Sequence, residues 1–113
     1  MPSLPFVDRT DLPWQPAAPG VERQVLAYDA DLMMVRVRFA EGAVGAVHQH
    51  PHRQVSYVVE GTFEVEIAGE HRVLRAGDSF VVGPDTPHGV VAREASVLLD
   101  VFSPAREAFV HQL

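Results

Sequence analysis

The sequence predicts an all-β sandwich or barrel, and three observations carry that prediction. About eight short runs rich in β-branched and aromatic residues follow Gly20, each closed by Gly, Pro, Asp or Glu-Gly turn residues at spacings of roughly 8–12. Several runs alternate apolar and polar residues with the period of two that a half-buried strand requires. Helical periodicity is confined to the C-terminal "PAREAFVHQL", which predicts a short helical turn. At 113 residues the chain fits one domain with one core.

Residues 1–20 come first and differ from the rest. They hold Pro2, Pro5, Pro13, Pro16 and Pro19 of the nine prolines. Such a segment can be neither a helix nor a central strand, so an extended proline-rich arm is expected, laid over the domain or a partner subunit. The barrel domain is then residues 21–113. Its strands are expected in "RQVLAYD", "LMMVRVRFA", "QVSYVVEG", "TFEVEIAG", "EHRVLRAG", "DSFVVG", "GVVARE" and "SVLLDVF". Val35, Val37 and Phe39 face away from Arg36 and Arg38, and Phe63, Val65 and Ile67 face away from Glu64, Glu66 and Ala68.

Bulk composition narrows the function. The formal charge is −6, lysine is absent and the nine arginines are scattered, which argues against nucleic acid or an anionic membrane as partner. No cysteine is present, so disulfides, thiolate metal sites and cysteine nucleophiles are all excluded. The N-terminus lacks the basic start and apolar run of a signal peptide, and no window approaches the roughly 20 apolar residues of a membrane helix. A soluble cytoplasmic protein is the expectation.

Chemistry concentrates in two places. In "HQHPHRQ", His48 and His50 stand two apart at the expected start of a strand, which aims both imidazoles to one face. Gln54 follows the Pro51 break, and His88 lies where the turn "GPDTPHGV" hands over to another strand. His52 shares their parity but sits beside the break, so it reads as a loop residue or one that supports the ligands from behind, not as a ligand; His71 and His111 read as surface or hydrogen-bonded histidines. The second place is "LLDVFSPAREAF". Asp100 and Phe102 share a face of a largely apolar strand, where a carboxylate needs a reason. One reason is a salt bridge to Arg36, Arg38 or Arg106; the other is an acid/base group facing a metal cavity. Arg106 follows a Ser-Pro turn, and its planar fork suits a carboxylate.

The spacing G-x5-H-x-H-x3-Q-x6-G from Gly42 to Gly61, with a second segment from Gly77 to His88, resembles the two motifs of the cupin family. Gly83, Asp85 and Ala92 depart from the second motif at turn positions. The resemblance implies a double-stranded β-helix, or jelly-roll, barrel holding one divalent transition metal, with His48, His50, Gln54 and His88 as ligands. Zinc, nickel, iron, manganese and copper all remain open. Gln54 stands where Glu is commoner. A neutral amide leaves the ion's double positive charge uncompensated, which favours polarising an anionic, oxygen-rich ligand over oxygen chemistry.

Together with D-x-F-S-P-x-R from Asp100 to Arg106, the set resembles the small cupins of the pectin-degradation type. That resemblance implies non-redox ring opening of 4,5-unsaturated uronate monosaccharides to 5-keto-4-deoxyuronate, with Asp100, Phe102 and Arg106 lining the catalytic pocket. A small anionic sugar is the implied partner, and no redox cofactor or ATP is needed. Two other classes compete: a non-catalytic metal-containing binding module and an oxygen-dependent dioxygenase. Because the proline-rich arm has no evident role within one chain, a homodimer with exchanged N-terminal segments is also expected.

Overall fold

The structure, a computed structural model, describes residues 2–113. Among the described residues ten strands form: β1 (Gln15–Ala18), β2 (Val21–Tyr28), β3 (Met33–Phe39), β4 (Val44–His48), β5 (Arg53–Glu60), β6 (Thr62–Ile67), β7 (Glu70–Arg75), β8 (Ser79–Val82), β9 (His88–Ala92) and β10 (Ser96–Ser103). One helical turn, α1 (Glu107–Val110), follows. The strands pair as a six-stranded sheet, β1-β2-β3-β10-β5-β8, and a four-stranded sheet, β4-β9-β6-β7, antiparallel throughout. No helix among the described residues is long and apolar enough to cross a membrane.

Two strands lie outside the expected set, for different reasons. β1 arises within the proline-rich arm, where Pro16 is tolerated because β1 is an edge strand. β4 buries none of its residues, so "VGAVH" carries no alternation to read. The arm also contains a 3₁₀ turn, Arg9–Asp11, capped by Asp8, whose carboxylate accepts from the Thr10 N–H at 3.0 Å.

The arm has a clear role within its own chain. The Ser3 N–H donates to the Tyr28 carbonyl at 3.0 Å, and the Gln24 amide donates to the Arg9 and Leu12 carbonyls at 2.9 and 3.2 Å. The expected boundary at residue 20 falls in the turn joining β1 to β2, where Gly20 takes φ +74°.

The core fills the space between the sheets. Met33, Val35, Val37 and Phe39 of β3 face inward, as their alternation predicts, and Phe39 meets Phe63 of β6 edge-on at 5.0 Å. On β10 the inward residues are Ser96, Leu98, Asp100 and Phe102. Asp100 stands between Val35 of β3 and Ser56 of β5, and Phe102 between Met33 and Gln54. This register leads from the apolar core directly into the polar site.

Candidate metal centre

His48 ends β4 and pairs directly across the sheet with His88, the first residue of β9. Their ring centroids are 4.5 Å apart. This close pairing depends on Gly89, because a Cβ there would come within 2.9 Å of the Gly45 carbonyl and the Val47 nitrogen. His50 does not occupy the strand position expected from its spacing. The strand stops at His48, and His50 lies in the loop that continues through Pro51 and His52. Loop geometry, not strand parity, brings it to the other two.

That loop is held from outside. The Asp85 N–H donates to the His50 carbonyl at 2.7 Å, joining it to the turn between β8 and β9. Asp85 takes φ +55°, a left-handed conformation that Asp adopts more readily than most side chains. The departure noted in the second motif therefore sits in a conformation the residue can reach.

The donor atoms of His48, His50 and His88 lie within 4.8 Å of one another, so the three form a cluster that could hold a metal ion. All three rings are anchored alike. Nδ1 of His48 donates to the Ala46 carbonyl at 2.9 Å, Nδ1 of His50 to the His52 carbonyl at 3.0 Å, and Nδ1 of His88 to the Thr86 carbonyl at 2.8 Å. A carbonyl can only accept, so in each neutral ring Nε2 is the lone pair. Burial is the main cause that pushes His50 and His88 toward the neutral form; Arg106 adds to it for both, with His88 acting on His50 and His48 on His88.

Two observations test whether a cation fits. Nε2 of His88 is buried without a hydrogen-bond partner. Nε2 of His50 faces Oε1 of Gln54 at 3.1 Å, which sets two acceptors against each other. Two ligands each about 2.1 Å from one ion, at about a right angle, stand about 3 Å apart. The donor set fits a divalent cation.

Beyond the histidines a buried polar chain continues. The Gln54 amide nitrogen donates to Ser56 Oγ at 2.9 Å, and Ser56 Oγ donates to Asp100 Oδ1 at 2.5 Å. Burial pushes the Asp100 carboxyl up to about 6, opposed by the Ser56 hydrogen bond and by Arg106. Among the described residues Asp100 makes no ion pair within salt-bridge distance; Arg38, one candidate partner, pairs with Glu22 at 2.8 Å instead. Arg106 immediately precedes α1, and its guanidinium lies over the Phe109 ring at 4.4 Å and the Phe102 ring at 5.2 Å. Burial, then Arg23, work against its charge, and Asp100 favours it.

A cavity of about 370 Å³ is lined by His48, Gln54, His88, Asp100, Phe102 and Arg106 among others, within the roughly 300–1,000 Å³ typical of small-ligand sites. His52 contributes its carbonyl to the His50 ring and stands outside the metal cluster. His71 is exposed and 3.6 Å from Glu66, and His111 is exposed at the end of α1. Two features were not singled out from the sequence. Ser56 shares the parity of Gln54, a signal present in "QVS". Arg23 reaches the cavity from β2, its guanidinium 3.8 Å from the Phe109 ring, and nothing local to β2 announces it.

The comparisons with known proteins agree with this architecture. The family model for the cupin domain matches residues 35–102. The pectin degradation protein KdgF of Dickeya dadantii is 45% identical over 107 residues, which cover 93% of this chain and 96% of that protein. The solved structure of KdgF from Halomonas sp. superposes with a TM-score of 0.89 at 46% identity, covering 95% of this chain and 99% of the other. An RmlC-like cupin from Shewanella frigidimarina gives 0.92 at 45% identity, covering 96% and 97%. With a histidine cluster, two of its three members buried, between two antiparallel sheets and relatives aligned almost end to end, the chain belongs to the cupin family as a small single-domain member, alongside the pectin degradation protein KdgF.

Proposed function

We propose that the protein is a metal-dependent, non-redox enzyme that opens the ring of 4,5-unsaturated uronate monosaccharides to give 5-keto-4-deoxyuronate. His48, His50, Gln54 and His88 hold one divalent transition metal, and Asp100, Phe102 and Arg106 serve the reaction. The observation that carries this reading is the placement of a buried carboxylate, Asp100, two hydrogen bonds from the donor set and on the same cavity. The kinship to pectin degradation proteins supports the substrate class.

The reaction conserves atoms. The anomeric hydroxyl loses its proton as the bond from C1 to the ring oxygen breaks, and C4 gains a proton as the enol becomes a ketone. A bound divalent cation supplies Lewis-acid stabilisation for the oxygen on which charge develops. Asp100 carries the proton between the two positions on Oδ2, the oxygen that Ser56 leaves free. A carboxyl titrating near 6 is well matched to taking and returning a proton at neutral pH. Arg106 grips the substrate carboxylate, and Phe102 forms the apolar wall against which the ring lies.

The test follows the ultraviolet absorbance of the conjugated enol-ether acid. Metal-loaded protein is expected to speed its loss over the spontaneous rate. No acceleration with either pectin-derived or alginate-derived sugars would leave a binding module as the better reading, and oxygen uptake would point to a dioxygenase.

The proposed assembly is a homodimer in the cytoplasm. Its support is the outer face of the six-stranded sheet, where Met34, Val101, Val55 and Val81 stand in one row across β3, β10, β5 and β8. Val55 and Val81 are 50% and 68% exposed. A single mass in solution equal to one chain, at concentrations up to those of the assay, would rule the dimer out.

A further inference from the structure

Resting on the reading of Gln54 as a ligand, we propose that Ser56 is the positioning residue that makes a glutamine usable there, by fixing which end of the amide faces the histidines. An amide has two different ends, and only its oxygen can bind a cation. In a metal-free site the reverse orientation is attractive, because the amide N–H₂ would then donate to the lone pair on His50 Nε2, 3.1 Å from where Oε1 now stands.

The polar chain forbids that reversal. Ser56 is fully buried, so water cannot rearrange its bonds. Its one proton is committed to Asp100 Oδ1, which leaves the Ser56 oxygen only as an acceptor. A reversed Gln54 would set its carbonyl against that oxygen, two acceptors face to face in a buried site. The orientation therefore passes from the Asp100 carboxylate through Ser56 to Gln54, and places Oε1 toward Nε2 of His50. The register makes this possible: Gln54 and Ser56 share a face of β5, and Asp100 is the direct partner of Ser56 on β10. A carboxylate at position 54 would need no such device, since both of its ends are oxygens.

The experiment measures zinc affinity of the full chain by competition with a chelator. It uses the wild type, Ser56→Ala, Gln54→Ala, Gln54→Glu, and Ser56→Ala combined with each Gln54 variant. Ser56→Ala is expected to weaken zinc binding on the order of tenfold. The same change is expected to add nothing in the Gln54→Ala background and little in the Gln54→Glu background. Ser56→Cys keeps the volume and removes the good acceptor, so it should reproduce the loss if the alanine variant folds poorly. An equal loss in all three backgrounds would make Ser56 merely structural and overturn the inference. So would unchanged affinity in Ser56→Ala while Gln54→Ala binds zinc more weakly. Unchanged affinity in Gln54→Ala itself would instead overturn the ligand reading, and the inference with it.

Discussion

β3 and β5 flank β10 on its two sides, and both alternate buried and exposed residues. Their contents are reversed. β3 turns Met33, Val35, Val37 and Phe39 inward and Arg36 and Arg38 outward, as a strand beside a dry core should. β5 buries Gln54 and Ser56, with only Val58 apolar, and turns Val55, Tyr57 and Val59 outward. Burying two polar side chains is costly unless each is hydrogen-bonded, and here each is. The reversal teaches that one side of β10 is built for a dry core while the other lines the candidate site, with an apolar exterior left over. β10 between them is mixed in the same way, Leu98 and Phe102 apolar and Asp100 polar on one face.

Substitutions can break that contrast. The largest effect is expected from Asp100→Ala, which should lower turnover at least about a hundredfold while metal stoichiometry at saturating metal stays that of the wild type. Retained turnover would move the acid/base role elsewhere in the cavity. A smaller effect concerns pH. The Asp100 carboxyl titrates ordinarily at 3.8 and is pushed up to about 6 in the fold. Below the lower value both folded and unfolded states are protonated, and burial costs nothing. As pH rises through the window the folded state comes to bury a charge. The metal-free wild type should therefore lose about 2 kcal/mol of stability relative to Asp100→Asn between pH 4 and 7. Urea denaturation of both proteins across that range checks it, and parallel pH profiles would show that the fold does not raise the carboxyl's pKa.

On β3, Val35→Ala should cost about 2 kcal/mol of stability and leave zinc affinity unchanged, the mirror image of Gln54→Ala. Equal effects on both properties from both strands would erase the distinction drawn here. The smallest effect belongs to the outer face. Val81→Arg should change monomer stability by no more than about 0.5 kcal/mol and leave turnover intact while shifting the mass in solution from dimer to monomer. Light scattering after size exclusion separates the two states.

Much of this is legible in the sequence alone, because β-strands write their two faces with a period of two. β3 and β6 declare their inner sides in Val35, Val37 and Phe39 and in Phe63 and Val65. The histidines were visible by their spacing, yet the reason they meet was not: His50 is carried by a loop that the Asp85 N–H ties down. β4 was silent because it lies on the surface and has no buried side to show. The arm looked unattached since its bonds run to carbonyls and a distant strand, which composition does not encode. Ser56 was overlooked although it shares the parity of Gln54; a hydroxyl gains its role only from the partners on either side, and Asp100 lies 44 positions away.

The most direct test of the central claim compares the metal-loaded chain with the same chain stripped by a chelator, on one unsaturated uronate, with proton NMR reporting the new protons at C4. The metal-loaded wild type is predicted to form the open-chain ketone faster than the spontaneous reaction, and both the stripped chain and metal-loaded Asp100→Ala to fall back to the spontaneous rate. Equal rates for the loaded and stripped wild type would contradict the account.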